Sequence, residues 1–384
     1  MSTNQALREA FEELRLIDHH CHGVIRADVD RVEFEANISE SSAPPPAGTT
    51  RFDTQVGFAI RGRCAPLLDL EPFASPEQYL ARRNELGADE VNSRLLRAAN
   101  LHTLGIETGH VPVDIADIPA MKAYAEADAF EIVRLEKLAE TVAESLRGDD
   151  GVAGSFLTRV SAELDRRLAT AKGVKTIAAY RIGLDFAAER PEPAQLRTAI
   201  ETWFAQTGEG AFRLANSVII RELIWLAIER GTAIQVHIGY GDDDLDLHRC
   251  NPLLLTNLIR AAAPYGARFM LLHCYPYHRE AGYLADVFPH VYCDVGLAIN
   301  YTGARSSAII AESLELTPFS KALFSTDAFG MAELYFLGAT LFREGLSEVF
   351  ADFVDHRGWP EDEAIRVANM IAEDNAIRAY QLEE

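Results

Sequence analysis

The sequence predicts an α/β fold, a (β/α)8 TIM barrel with a long, mostly helical insertion after the first strand and a helical C-terminal tail. Three observations point there. Short apolar segments alternate with amphipathic segments of helical period through most of the 384 residues, as expected for a parallel sheet covered by helices. Several of the short segments end in a polar, ligand-competent residue, which is where barrel strands present function. The length suits a barrel, so residues 1–384 are expected to form one domain, with an insertion or lid at about 24–101.

In chain order, strands are expected at 15–23 (RLIDHHCHG), 102–110 and 129–136. Five more follow at 174–183, 233–239, 268–275, 290–296 and 321–330. Helical stretches between them include GSFLTRVSAELDRRLATAK and AFRLANSVIIRELIWLAIERG, with Gly173, Gly231 and Gly266 standing where C-caps would fall. The charged amphipathic start MSTNQALREAFEELRL reads as a helix capping the barrel's bottom and has no signal-peptide core. Roughly eighty residues separate the first two strands, far more than a βα loop needs. They hold Pro44–Pro46 and helical stretches near 76–86 and 88–101. Loops after barrel strands lie on the catalytic face, so the insertion is either a lid over the site or a contact between subunits. From Met331 the tail reads as helical, with a break at Gly358-Trp359-Pro360.

Composition narrows the partners. A formal net charge of −22 argues against nucleic acid, which needs a basic surface, although a local basic pocket could still meet an acidic substrate. No apolar run approaches the ~18 residues of a membrane helix. A cytoplasmic protein acting on a small molecule, with no nucleic-acid or membrane partner, is expected, and homo-oligomerisation stays open. The five cysteines (Cys21, Cys64, Cys250, Cys274, Cys293) show no CxxC pairing and read as reduced thiols.

The chemistry begins at Asp18-His19-His20-Cys21-His22. Strand periodicity puts Asp18, His20 and His22 on one face and His19 and Cys21 on the other. Two imidazoles on adjacent inward positions can chelate one cation, yet an HxH alone does not separate ligands from core histidines. The later strands add weight. His237 ends Ile-Gln-Val, His273 ends Met-Leu-Leu, and Asp327 ends Leu-Phe-Ser-Thr, all at the rim where barrels place function.

With these residues in view, the chain resembles the amidohydrolase superfamily: a DxHxH opening, a His after strand five, a His after strand six and an Asp after strand eight. The stretch His237-Ile-Gly-Tyr-Gly-Asp-Asp-Asp-Leu-Asp-Leu with Asn251-Pro252, and the strand GVKTIAAYRIG, are similar to the amidohydrolase-2 branch and its FluG-type, glutamine-synthetase-associated members. The resemblance implies that His20, His22, His237 and Asp327 bind one divalent metal, with zinc first and manganese or iron as alternatives. Asp327 and His273 become the catalytic pair. Asp327 handles the proton of the metal's water, while His273 binds a second metal or hydrogen-bonds the water or the substrate. Such an ion lowers the pKa of water from 15.7 toward about 7.

Two-metal relatives bridge their ions with a carboxylated lysine at the rim of strand four. If 174–183 is one strand, Lys175 lies about 20 Å below Arg181, at the barrel's bottom. That favours one metal, unless Glu136 supplies a bridge. Substrate-binding candidates at the rim are Arg181, Tyr180, Glu136, Tyr240 and Asp294, with a structural ion pair or loop cap as the other reading of each; Arg134, Asp243 and His110 are further rim residues. The expected activity is metal-dependent hydrolysis of an amide in a small carboxylate-bearing molecule, for which γ-glutamyl amides fit the resemblance. The alternative is non-oxidative decarboxylation of an unsaturated or aromatic acid.

Overall fold

The computed structural model describes residues 3–149 and 151–383. Seven parallel strands hydrogen-bond in sequence order: β1 (Leu16–Cys21), β2 (Leu101–Glu107), β3 (Asp128–Arg134), β4 (Gly173–Thr176), β5 (Ala233–His237), β6 (Arg268–Leu272) and β7 (Val291–Cys293). Helices cross between them, as parallel connections require. Asn216 caps the helix Ser217–Glu229 by accepting from Val218 and Ile219 N–H, and the chain leaves that helix through Gly231 at φ 61°. Gly266, at φ 74°, also follows a helical turn, but Gly173 does not, because it opens β4.

The segment expected as an eighth strand, 321–330, forms no regular ladder. It still closes the ring. Leu323 N–H donates to Cys293 O at 3.0 Å on the β7 side. On the β1 side, His19 N–H reaches Phe324 O and Asp327 N–H reaches His20 O, both at 3.1 Å. Two features break the ladder. Asp18 takes Thr326 N–H (3.0 Å) and its hydroxyl (2.5 Å) by side chain, and Asp327 sits in the left-handed region at φ 49°.

Strand four is also shorter than expected. Glu136 accepts from Thr176 Oγ1 (2.6 Å) and Ile177 N–H (3.1 Å), and Thr176 Oγ1 in turn accepts from Ala178 N–H (3.2 Å). These bonds turn the chain into a short helix, Ala178–Ile182. Arg181 is therefore on a helical turn beyond the strand, and Lys175 is buried near the rim, not solvated at the bottom.

Two apolar layers hold the barrel. The larger lies between sheet and helices. The smaller fills the interior with Ile17, Phe130, Ile132, Met270, Leu272, Tyr292 and Leu323, and Tyr380 of the helix Asn375–Tyr380 packs with them. Tyr380 Oη lies 2.8 Å from both His19 Nδ1 and Gln235 Nε2. His19 is thus an interior residue, while Asp18 faces Thr326, opposite to the alternation expected. The register of β1 against β2 shifts between Asp18 and Cys21, and such an irregularity re-aims the side chains beyond it.

Between β1 and β2 lie the helices Arg31–Asn37, Gln55–Ala59, Pro76–Leu86 and Ala88–Ala99, with shorter turns among them. Ser75 and Gln78 form a reciprocal capping box at the start of Pro76–Leu86. An ion pair fastens this helix to the barrel: Arg83 Nε to Glu333 Oε1 at 3.0 Å, both side chains fully buried. Glu333 opens the 26-residue helix Ala332–Arg357, which ends at Gly358 with φ 74°. No helix among the described residues is long and apolar enough to cross a membrane.

Candidate metal centre

The ends of β1, β3, β4 and β5, the loop after β2 and the closing segment converge on one cavity of about 460 Å³. In its floor, ligand atoms of His20, His22 and Asp327 all lie within 4.8 Å of one another. Asp327 Oδ1 is 2.9 Å from His20 Nε2 and 3.6 Å from His22 Nε2, and its Oδ2 is 3.4 Å from His273 Nε2. His237 stands outside this trio, its ring 4.8 Å from that of His273 and 4.5 Å from that of Tyr180.

Buried polar atoms here have no protein partner. His237 Nε2 and both ring nitrogens of His273 are enclosed without a hydrogen bond among the described residues. Leaving such groups unpaired costs about 1–3 kcal/mol each, so their arrangement makes sense around a ligand. Burial, then the neighbouring His273 and Lys175 charges, holds His237 well below the usual imidazole range; burial and Lys175 do the same to His20. Burial likewise takes His273 down to about 4. These are neutral imidazoles, the form that binds a cation. Burial would raise the Asp327 carboxyl, but His273 and the His20 and His22 hydrogen bonds outweigh it and keep it ionised. Three neutral imidazoles and a carboxylate make a donor set that fits a divalent ion.

Lys175 belongs to the centre. Its Nζ is 2.8 Å from His20 Nε2, and burial lowers its pKa from the ordinary lysine value. The argument for a single metal from a remote Lys175 therefore falls.

Of the expected substrate residues, Arg181 and Tyr180 line the cavity. Arg181 pairs with Glu140 at 3.4 Å, not with Glu136, and its Nη1 is buried without a partner. Glu136 is fully buried and occupied with the β4 turn. Tyr240 packs against Tyr301, ring centroids 5.7 Å apart. Asp294 braces the site from beneath: it accepts from His273 N–H (3.0 Å), Gly296 N–H (2.8 Å) and Ser325 Oγ (2.9 Å), and its other oxygen is 3.0 Å from His19 Nε2. Burial opposes its ionisation, yet those bonds hold it down to about 2. The brace sustains His273 at a left-handed φ of 67°.

Other residues of the site were not singled out from sequence. Glu107, ending β2, is buried between His22 Nδ1 (3.4 Å) and the Arg134 guanidinium. It shows the signal used for His237, a polar residue closing an apolar strand. His110 and Arg134, noted only as softer rim residues, line the cavity, as do Arg213, Tyr301 and Glu40 of the insertion. Ser42 Oγ donates to Asp243 at 2.5 Å, tying the insertion to the loop after β5. That loop depends on Gly241, where a Cβ would come within 2.2 Å of the Tyr180 hydroxyl and 3.1 Å of His237 Nε2.

Comparison with known proteins agrees with this architecture. The family model for amidohydrolases, in its amidohydrolase-2 branch, matches residues 105–382. Protein fluG of Emericella nidulans is 32% identical over 422 aligned residues; the match covers all of this chain and 48% of that protein, so the chain spans about half the length of its curated relative. Among solved structures, a proposed metal-dependent hydrolase from Lactobacillus casei superposes with a TM-score of 0.83 at 28% identity, covering 98% of this chain and 97% of that one. Uronate isomerase from Thermotoga maritima shares the fold at a TM-score of 0.60 and 14% identity, covering 98% and 97% of the two chains. The chain belongs to the amidohydrolase family, in its amidohydrolase-2 branch.

Proposed function

We propose that this protein is a hydrolase that cleaves an amide C–N bond in a small, carboxylate-bearing molecule, with one divalent ion, zinc first, held by His20, His22, His237 and Asp327. The observation that carries the reading is the His20-His22-Asp327 cluster at the cavity floor, beside the buried imidazoles of His237 and His273 that lack hydrogen-bond partners. A divalent ion in such a centre supplies Lewis acidity, polarising a carbonyl and making water acidic enough to ionise near neutral pH.

The chain's own residues supply the rest. Asp327, ionised and at the cluster, accepts a proton from water and returns it to the leaving amine. His273, braced by Asp294, is neutral and can hydrogen-bond the water or the carbonyl oxygen. Arg181 lines the cavity, its Nη1 lacks a partner, and its planar fork suits a substrate carboxylate. Arg134 and Arg213 add positive charge to the same cavity. γ-Glutamyl amides are the first class to try, since they join a carboxylate to an amide in a small molecule.

The test is a substrate panel on the metal-loaded protein, scored for ammonia or amine release and, in parallel, for carbon dioxide. Amine release from carboxylate-bearing amides is expected. Carbon dioxide from unsaturated or aromatic acids, with no amide cleaved, would replace this reading with decarboxylation.

A further inference from the structure

The cavity carries two signs of charge, drawn from different elements. Arg134, Arg181 and Arg213 line it, each beside its own carboxylate: Glu107, Glu140 and Asp244. Elsewhere its wall is made by Glu40 from the insertion, Asp242 from the loop after β5, and the phenols of Tyr180 and Tyr301. Tyr301 stands beside Glu40, and Tyr180 beside Asp242. Among the described residues, neither Glu40 nor Asp242 has a lysine or arginine in ion-pair range. His237 Nε2, buried and unpartnered, faces the same space beside Tyr180. Burial, and the charges of Asp327 and Asp242, push Glu40 up to about 7, as befits a carboxylate without a counter-cation.

We propose that this acidic, phenol-lined wall receives a protonated amino group, so that the substrate is an amide whose acyl half carries a carboxylate and whose amine half carries a second, cationic amine. The inference rests on the hydrolytic reading and adds the amine half to it. Carboxylates set among tyrosine rings suit an alkylammonium, which gains charge pairing and cation–π attraction together. An uncharged amine half would cover the Glu40 carboxylate without giving it a counter-ion, at a desolvation cost. In the reaction, water adds across the amide. The C–N bond breaks, the acyl carbon keeps the new oxygen as a carboxylate, and the leaving nitrogen takes the proton to give a free diamine.

The experiment compares two amides of the same dicarboxylic acyl group, one from 1,4-diaminobutane and its isostere from pentylamine, whose amine half is uncharged once acylated, with calorimetric binding of 1,4-diaminobutane against 1-pentanol as a second readout. The wild type is expected to favour the ammonium-bearing amide at least ten-fold in kcat/KM. In Glu40→Gln that ratio should fall to within two-fold of unity, with Asp242→Asn as a second variant should the first fail to fold. A wild-type ratio near one, or a ratio kept by both variants, overturns the proposal. If neither amide is cleaved but the diamine binds and loses at least ten-fold affinity in Glu40→Gln, the wall is correctly assigned and the hydrolytic reading fails. If neither amide is cleaved and the diamine binds no better than the uncharged 1-pentanol, both fall.

Discussion

Replacing Arg83 by methionine should cost this protein about 3–5 kcal/mol, because it would strand a buried charge. Arg83 Nε meets Glu333 Oε1 at 3.0 Å with both side chains fully buried. Among the described residues the only other donor to that carboxylate is the Tyr79 hydroxyl, at 3.0 Å, and Glu333 Oε2 has no partner. Methionine preserves much of the packing against Phe34, over whose ring the guanidinium sits at 5.7 Å, so the loss is mainly electrostatic. With an unfolding entropy of about 0.8 kcal/mol per degree for a chain of this size, the melting temperature should fall by about 4–6 °C. Adding Glu333→Gln removes the stranded charge and keeps an acceptor for Tyr79, so the double variant should recover about 2 kcal/mol or more. Urea denaturation of the metal-loaded single and double variants measures this coupling. Single-variant losses under about 1 kcal/mol, or strictly additive effects, would refute the view that this pair fastens the insertion to the barrel.

Three further outcomes are expected. The purified protein should hold close to one equivalent of divalent metal by elemental analysis, and His20→Ala or His22→Ala should lose metal and activity together; two equivalents with a modified Lys175 by mass spectrometry would overturn the one-metal reading. Asp327→Asn keeps an oxygen at the cluster but cannot accept a proton in the useful range, so turnover in metal-replete protein should drop by about 10²-fold or more, and near-normal turnover would remove Asp327 from the proton-handling role. Arg181→Lys should raise KM for an acidic substrate while leaving a carboxylate-masked analogue nearly unaffected; equal losses on both would mean that Arg181 serves Glu140 alone.

The barrel was legible because strand–helix alternation and rim-ending polar residues follow directly from the geometry of parallel sheets. Where local side-chain bonds override the backbone pattern, the reading failed. The expected alternation put His19 on the outer face, whereas it shares the inward face with Ile17, and the register shift between Asp18 and Cys21 breaks the alternation beyond it. The run VKTIAAYRIG looks like one strand because its apolar residues suit strand and helix alike. Only Glu136, far off in sequence, reveals that the chain turns at Ile177, and with it that Lys175 reaches His20. Asp18 and Asp327 similarly dissolve the eighth strand while leaving its hydrogen bonds to the neighbours. Glu107 carried the same signal as His237 and could have been found. Glu40 could not, because nothing in an insertion's sequence says which of its acids enters a cavity made by other segments.

The bond between His19 and Tyr380 joins residues 361 positions apart in the chain. Its consequence is temporal. A ribosome delivers His19 361 residues before the residue that plugs the barrel beneath it, so while the intervening chain is made His19 has no fixed partner below it. The neighbouring pair His20 and His22 then rides on a strand whose inward side is still open. Contacts of such long sequence separation form slowly, because the closure entropy of the intervening chain must be overcome before they contribute. A nascent chain exposed to metal early could bind it on an unfinished scaffold, whereas one that meets metal after Tyr380 is in place would find the histidines already aimed.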